Sequence, residues 1–149
     1  MKFSISKKGF TLIEFLVIIA IIIIIIGISI PAFRRFQPDF QLSGAVRSLV
    51  SDLRYIQQLT VTEQVDYCLQ FFLVEKKYQI IQCGQSQPLL EKFFPEEIKT
   101  LTVSGFTDNK VEFNPYGAVK EDGTITLENT RDRTKTIEVR PSGFVRITD

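Results

Sequence analysis

The 149-residue sequence contains no histidine, no tryptophan and only two cysteines. Without histidine it lacks the commonest general base, the usual serine-type triad and the imidazole ligands of most catalytic zinc sites. Two cysteines are too few for a structural zinc site or a disulfide-rich scaffold, but they suffice for one bridge. An excess of one charge sign is also missing, since Lys+Arg number 18 against Asp+Glu 17, for a formal net charge of +1. That balance argues against a strongly basic nucleic-acid-coating protein and against an acidic disordered chain. The length suits one modest domain, or a smaller domain plus an anchor, and leaves no room for a two-domain enzyme.

What is present is hydrophobicity, with a mean hydropathy of +0.10 for the whole chain, and it is concentrated at the front. In residues 10–30, FTLIEFLVIIAIIIIIIGISI, 17 of 21 are Ala, Val, Ile, Leu or Phe. As a helix this segment is about 31 Å long, the thickness of a hydrocarbon core. Its sixteen Leu, Ile, Phe and Val side chains favour insertion by roughly 5–10 kcal/mol, against ~3 kcal/mol or less for Glu14 near one end. A secretory signal peptide would have a shorter apolar stretch and a small-x-small cleavage site. Here Gly27-Ile28-Ser29 is a weak match, and Pro31-Ala32-Phe33-Arg34-Arg35 follows. Lys2, Lys7 and Lys8 precede the span and predict a cytoplasmic N-terminus, an asymmetry that Arg34 and Arg35 weaken without reversing. The remainder of the chain is then exported.

Glu14, four residues into a membrane helix, reads either as a carboxylate tolerated near the headgroups or as one kept to pair with a cation. The stretch Lys7-Lys8-Gly9-Phe10-Thr11-Leu12-Ile13-Glu14, followed by the apolar span, resembles the type IV prepilin motif. The resemblance implies that a prepilin peptidase cuts between Gly9 and Phe10 and that Phe10 becomes N-methylated. It further implies that the Glu14 carboxylate neutralises the new N-terminus of a neighbouring subunit, a pairing better suited to fixing register than to adding stability. Pro31 falls where many family members carry a late proline, and a helix kink is expected there.

Beyond the anchor the chain is nearly neutral. With the three leader lysines and Glu14 set aside, 15 basic and 16 acidic residues remain. Phe33–Asp39 reads as a short break around Pro38, with Asp39 placed to cap a following helix. Leu42, Ala45, Val46, Leu49, Leu53, Ile56 and Leu59 recur at three- and four-residue steps, which predicts an amphipathic helix ending near Thr62. The period then changes to two over Val65–Val74 and Lys77–Cys83, with Leu69, Phe71, Leu73, Tyr78 and Ile80 on one face. A hairpin centred on Glu75-Lys76 pairs positions summing to 151 and sets Cys68 opposite Cys83. Directly opposed antiparallel residues are ~4.5–5.5 Å apart, suitable for a disulfide in an oxidising compartment, with two buried free thiols as the alternative. Pro88, Pro95 and 84–87 read as a loop. Leu101–Phe106, Lys110–Phe113, Thr124–Glu128, Thr136–Arg140 and Phe144–Ile147 read as strands separated by Gly-, Pro-, Asn- and Asp-containing turns.

The expected fold is α+β: a leader peptide over 1–9, a transmembrane helix over 10–30, a kinked amphipathic helical continuation over 31–64, and a mostly antiparallel β-domain of two sheets over 65–149. Val111–Gly117, Gly123–Leu127 and Gly143–Ile147, in that order after such an N-terminus, resemble the globular domain of H-type minor pseudopilins and related minor pilins. The two resemblances leave 85–104 least covered.

They imply a structural subunit, not an enzyme, with no cofactor and no metal. It is assembled into a type II secretion pseudopilus, supporting protein secretion, or into a type IV pilus. The implied partners are prepilin peptidase, other pilin or pseudopilin subunits, an inner-membrane assembly platform, and membrane lipid along residues 10–30. The implied location is the bacterial inner membrane, crossed once with the C-terminal domain exported, and then the filament.

A DNA-binding minor pilin is the alternative, with Arg131, Arg133, Lys135, Arg140 and Arg146 as the contacts. Against nucleic acid, residues 131–149 hold five basic and three acidic residues. Gly143-Phe144-Val145-Arg146 also lacks the first arginine of the Gly-Arg-x-Arg motif of DNA-binding relatives. Glu96-Glu97 and Glu121-Asp122 are adjacent acids with no nucleophile–base pair or phosphate-binding loop beside them, so an anchored enzyme is not supported.

Overall fold

The computed structural model describes residues 10–148. The expected leader, with Lys2, Lys7, Lys8 and Gly9, lies outside the described residues. The chain divides into two units, residues up to Gln37 and those from Pro38 onward.

One helix, α1 (Leu12–Glu63), contributes to both units. Its first part, Leu12–Pro31, has a mean hydropathy of 3.2 and no residue buried within the protein, so it is long and apolar enough to cross a membrane. The break expected over Phe33–Asp39 is absent, because these residues are helical. A proline removes one intrahelical hydrogen bond, but its fixed φ is itself helical. The packing of Leu42 and Val46 just after Pro38 offsets that cost, about 3 kcal/mol.

In the second unit α1 buries the stripe read from the sequence. Leu42, Val46, Leu49, Leu53 and Ile56 are almost wholly inaccessible, and Leu59 packs at the edge of the same cluster. Two four-stranded antiparallel sheets close on that stripe. The first has the order β3-β2-β1-β5, formed by β1 (Tyr67–Phe72), β2 (Lys77–Gln82), β3 (Pro88–Phe93) and β5 (Lys110–Phe113). The second has the order β4-β6-β7-β8, formed by β4 (Ile98–Ser104), β6 (Gly123–Asn129), β7 (Thr134–Val139) and β8 (Val145–Thr148). Leu69, Phe71, Tyr78, Ile80, Val111 and Phe113 from one sheet share a core with Ile98, Ile125, Leu127, Ile137 and Val139 from the other.

Three further expectations are corrected. The β1–β2 register pairs positions summing to 149, not 151: Cys68 faces Ile81, and Tyr67 faces Gln82. The loop is Leu73–Lys76, which puts Leu73 in the connection and leaves it exposed. A two-residue slip preserves side-chain parity, so the predicted buried face survives it. Second, the loop expected after Gly84 contains β3. Its first residue is Pro88, which a strand tolerates only at its start or on an edge, and most of its side chains are exposed, so no alternation marked it. Third, β4 begins at Ile98, three residues before the expected Leu101.

The edge strand β3 is tied to α1 by a buried polar group that apolar periodicity does not reveal. Tyr78 Oη donates to Asp52 Oδ2 at 2.5 Å, and Lys92 Nζ donates to the two carboxylate oxygens at 2.9 and 2.7 Å. Burial and the Asp52 carboxylate both push the Tyr78 phenol above its ordinary value. On the outer face of the same sheet, Lys110 and Lys120 both pair with Glu112. Partial burial alone would raise the Glu112 carboxyl, but the two ammonium groups outweigh it and hold the group below its ordinary 4.5.

Two outcomes follow. Asp52→Ala, which removes the acceptor of a buried phenol and of an ammonium, lowers stability by roughly 2–4 kcal/mol in urea unfolding followed by tyrosine fluorescence, and Asp52→Leu combined with Tyr78→Phe and Lys92→Met recovers much of that loss. The depressed Glu112 carboxyl contributes stability that is present above pH 4.5 and is lost as pH falls through its folded value. Glu112→Gln therefore flattens the acid limb of the stability–pH curve without adding a new one at neutral pH.

Candidate functional site

The first group expected to act lies at the start of α1. Phe10 is exposed, and Thr11 directly precedes the first helical residue, Leu12. The Thr11 hydroxyl oxygen accepts from the Glu14 N–H at 3.3 Å. In return, Glu14 Oε2 accepts from the Thr11 N–H at 2.8 Å and from the Thr11 hydroxyl at 2.9 Å. This reciprocal arrangement is a capping box, with threonine at the N-cap and glutamate three residues on. Thr11-Leu12-Ile13-Glu14 carries its full sequence signature, so the local role of Glu14 was legible without a partner subunit. The expected cleavage point between Gly9 and Phe10 precedes the box in the sequence.

Cys68 and Cys83 are joined by a disulfide with Cα atoms 5.3 Å apart. Their pairing survives the register correction because Cys83 lies just past β2, where its N–H donates to the Asp66 carbonyl at 2.9 Å, diagonal to Cys68 on the same face. The Glu112 carboxylate lies within 4.8 Å of both sulfurs. Since these are bonded to each other, they offer no thiolate pair to a metal.

The five basic residues considered for DNA contact lie among acidic side chains. Arg131 donates to Asp39 Oδ2 at 3.0 Å, and Arg133 Nε lies 3.7 Å from Asp39 Oδ1. Lys135 lines the neighbouring cleft with Asp39, Leu42 and Asp132. Arg140 donates to Glu138 at 2.9 Å, and Arg146 stands directly across the β7–β8 ladder from Glu138. Asp39 thus meets two of the five cations, and Glu138 meets a third and faces a fourth. Asp39, expected to cap a helix, serves as an acceptor instead.

Two polar anchors escaped the sequence reading. Asn129 is fully buried, its carbonyl oxygen accepting from the Arg131 and Arg133 N–H groups at 3.0 Å each while its amide donates to Asp39 Oδ1 at 2.9 Å. A turn asparagine bonding its own backbone is a familiar signal, but its reach to residue 39 is not. Gln57 on α1 donates to the Gly117 carbonyl at 2.8 Å. Gly143 (φ +77°) lies so close to both that a Cβ there would collide with the Gln57 amide and the Gly117 carbonyl. The turns Asn114–Gly117 and Arg140–Gly143 are thereby locked onto one helical side chain, leaving Tyr116 exposed within the first and Phe144 exposed just after the second.

No protein-family model and no curated protein matches the chain. Among solved structures it is similar to the type IV minor pilin FimU of Pseudomonas aeruginosa, at a TM-score of 0.64 and 16% identity, over 76% of this chain and 92% of that one. A second crystal form of FimU gives a TM-score of 0.57 at 17% identity, covering 72% and 93%. The minor pseudopilin EpsH from the type 2 secretion system of Vibrio cholerae gives 0.62 at 12% identity, covering 72% and 96%. The chain therefore has a pilin-like fold.

Glutamine completes a capping box as glutamate does, whereas alanine does not. Amide hydrogen exchange at Thr11 accordingly stays slow in Glu14→Gln and becomes fast in Glu14→Ala, with a loss of roughly 0.5–1 kcal/mol at the helix start in the second variant.

Proposed function

We propose that this protein is a minor subunit of a pilin-like filament. It is made as a prepilin, cut between Gly9 and Phe10, N-methylated at Phe10, and anchored in the bacterial inner membrane through residues 10–30 before assembly. The observation that carries this reading is a conjunction. A head of the FimU and EpsH type follows a chain start that holds Gly9, Phe10, Glu14 and the uninterrupted apolar span. The head fold alone would fit many roles. The processing motif alone would not say what is delivered.

The activity is assembly, and its chemistry is non-covalent. Removal of the leader gives Phe10 an α-ammonium, a charge that is costly among apolar anchors unless a carboxylate meets it. Glu14 supplies that carboxylate to a neighbour, while its capping box keeps the side chain turned toward the helix start. The partners are then other pilin or pseudopilin subunits, with the prepilin peptidase and an inner-membrane platform acting earlier. Transport of exported protein by a type II pseudopilus is the form of the proposal favoured by the H-type resemblance of the head. The pairing of Arg131 and Arg133 with Asp39 and of Arg140 with Glu138 supports assembly over DNA uptake, because a phosphate would have to compete with those carboxylates for the cations.

The Glu14→Gln variant separates charge from cap. It retains the capping box but presents no anion. If the carboxylate aligns incoming subunits, Glu14→Gln is processed normally and enters sheared filament fractions at a small fraction of the native level, about as poorly as Glu14→Ala. Incorporation of Glu14→Gln at the native level would reduce Glu14 to a helix cap.

A further inference from the structure

Immediately past the apolar stretch, the character of α1 changes within four residues. Phe33, Arg34, Arg35 and Phe36 are all exposed and all helical. At about 100° per residue, Phe33 and Phe36 lie about 60° apart on one side of the helix, with the two arginines on the other. The stretch that is apolar all round ends at Pro31. At ~1.5 Å per residue, Phe33 to Phe36 lie roughly 3–8 Å beyond it. A bilayer's polar layer is about 5–7 Å deep on each side of its core, so these four residues coincide with it.

The charge balance along the sequence adds a second, independent observation. In the unprocessed chain Lys2, Lys7 and Lys8 precede the span, against Arg34 and Arg35 after it. Loss of residues 1–9 leaves on the first side only the Phe10 α-ammonium with the Glu14 carboxylate nearby, and leaves the arginine pair untouched. The excess of cations passes from one end of the span to the other.

We propose that Arg34 and Arg35, backed by Phe33 and Phe36, form a collar that binds anionic phospholipid headgroups on the exported side, and that this collar retains the anchor once the leader is gone. The proposal rests on the reading of residues 10–30 as a membrane span. Guanidinium groups pair with headgroup phosphates through parallel N–H donors, and the phenylalanine rings fill the boundary between headgroups and acyl chains. Each cation near an anionic surface contributes about a five-fold preference, so the pair contributes about thirty-fold. A processed subunit is then held by its outer end, the end leading any movement out of the bilayer, and the collar must release lipid before the anchor leaves.

The test uses the full chain in nanodiscs of mixed phosphatidylcholine and phosphatidylglycerol, with retained lipid read by native mass spectrometry. Lys2, Lys7 and Lys8 are replaced by glutamine so that only the collar reports. Phosphatidylglycerol is expected to be enriched about thirty-fold in retained lipid. The enrichment should fall to near unity in R34Q/R35Q and persist in R34K/R35K. Equal retention of the two lipids by the parent, or undiminished enrichment in R34Q/R35Q, overturns the collar while leaving the membrane span intact. A chain that stays lipid-free on flotation with vesicles of either composition overturns the span and, with it, the collar.

Discussion

The head domain depends on one constraint: two separate sheets must bury their inner faces against the same stripe of a single helix. Neither four-stranded sheet has a core of its own. Leu42, Val46, Leu49, Leu53 and Ile56 supply the surface that both require, and the strands order themselves around it. A shared apolar stripe of this kind is more demanding than ordinary helix–sheet packing, because a slip in the helix would mis-set both sheets at once. The polar contacts read as safeguards against such a slip. Asp52 fixes the helix to β2 and β3, the Asn129–Asp39 hydrogen bond fixes the turn of the helix just before its buried stripe to the β6–β7 turn, and Gln57 fixes it to the turns that close the far end.

These contacts also explain how far the sequence could be read. The helical stripe, the strand parity of β1 and β2, and the short strands β5 to β8 were legible because each leaves a periodic trace in apolar residues. The head-domain errors fell where the trace is local or weak. The hairpin register depends on where a loop with no glycine or asparagine places its centre. A two-residue change is invisible to parity, so the cysteine pairing was right for a register that was not. Strand β3 has an exposed edge and a proline start, so nothing in its own residues distinguishes it from a loop; only the ladder to β2 makes it a strand.

The candidate functional residues divide in the same way. Glu14 is conspicuous as an acid in an apolar run, and that prominence implies a partner subunit, whereas the nearest group it meets is the threonine three residues before it. Asp52 was legible in principle, since it falls on the buried stripe between Leu49 and Ile56, but an acid on such a stripe announces only that something must meet it. Which residues do so, Tyr78 and Lys92 from two later strands, is fixed by tertiary pairing alone. The basic residues near the C-terminus were counted correctly as a cluster along the chain. Their acidic partners were not all legible there, since Asp39, which meets Arg131 and Arg133, lies more than ninety residues earlier.

Under tension the disulfide acquires a different meaning. It joins Cys68, near the start of β1, to Cys83, one residue past the end of β2, across a sequence separation of 15. It therefore closes the hairpin at its open end, opposite the Leu73–Lys76 connection. Tension applied along the backbone crosses from one cysteine to the other through the sulfurs and never enters the intervening ladder. A bare hairpin loaded at its open end unzips one rung at a time; this one carries no load until a covalent bond fails. The strand pair at the middle of the first sheet is thus excluded from the mechanical path, and the edges β3 and β5 keep a fixed template even when the chain on either side is stretched.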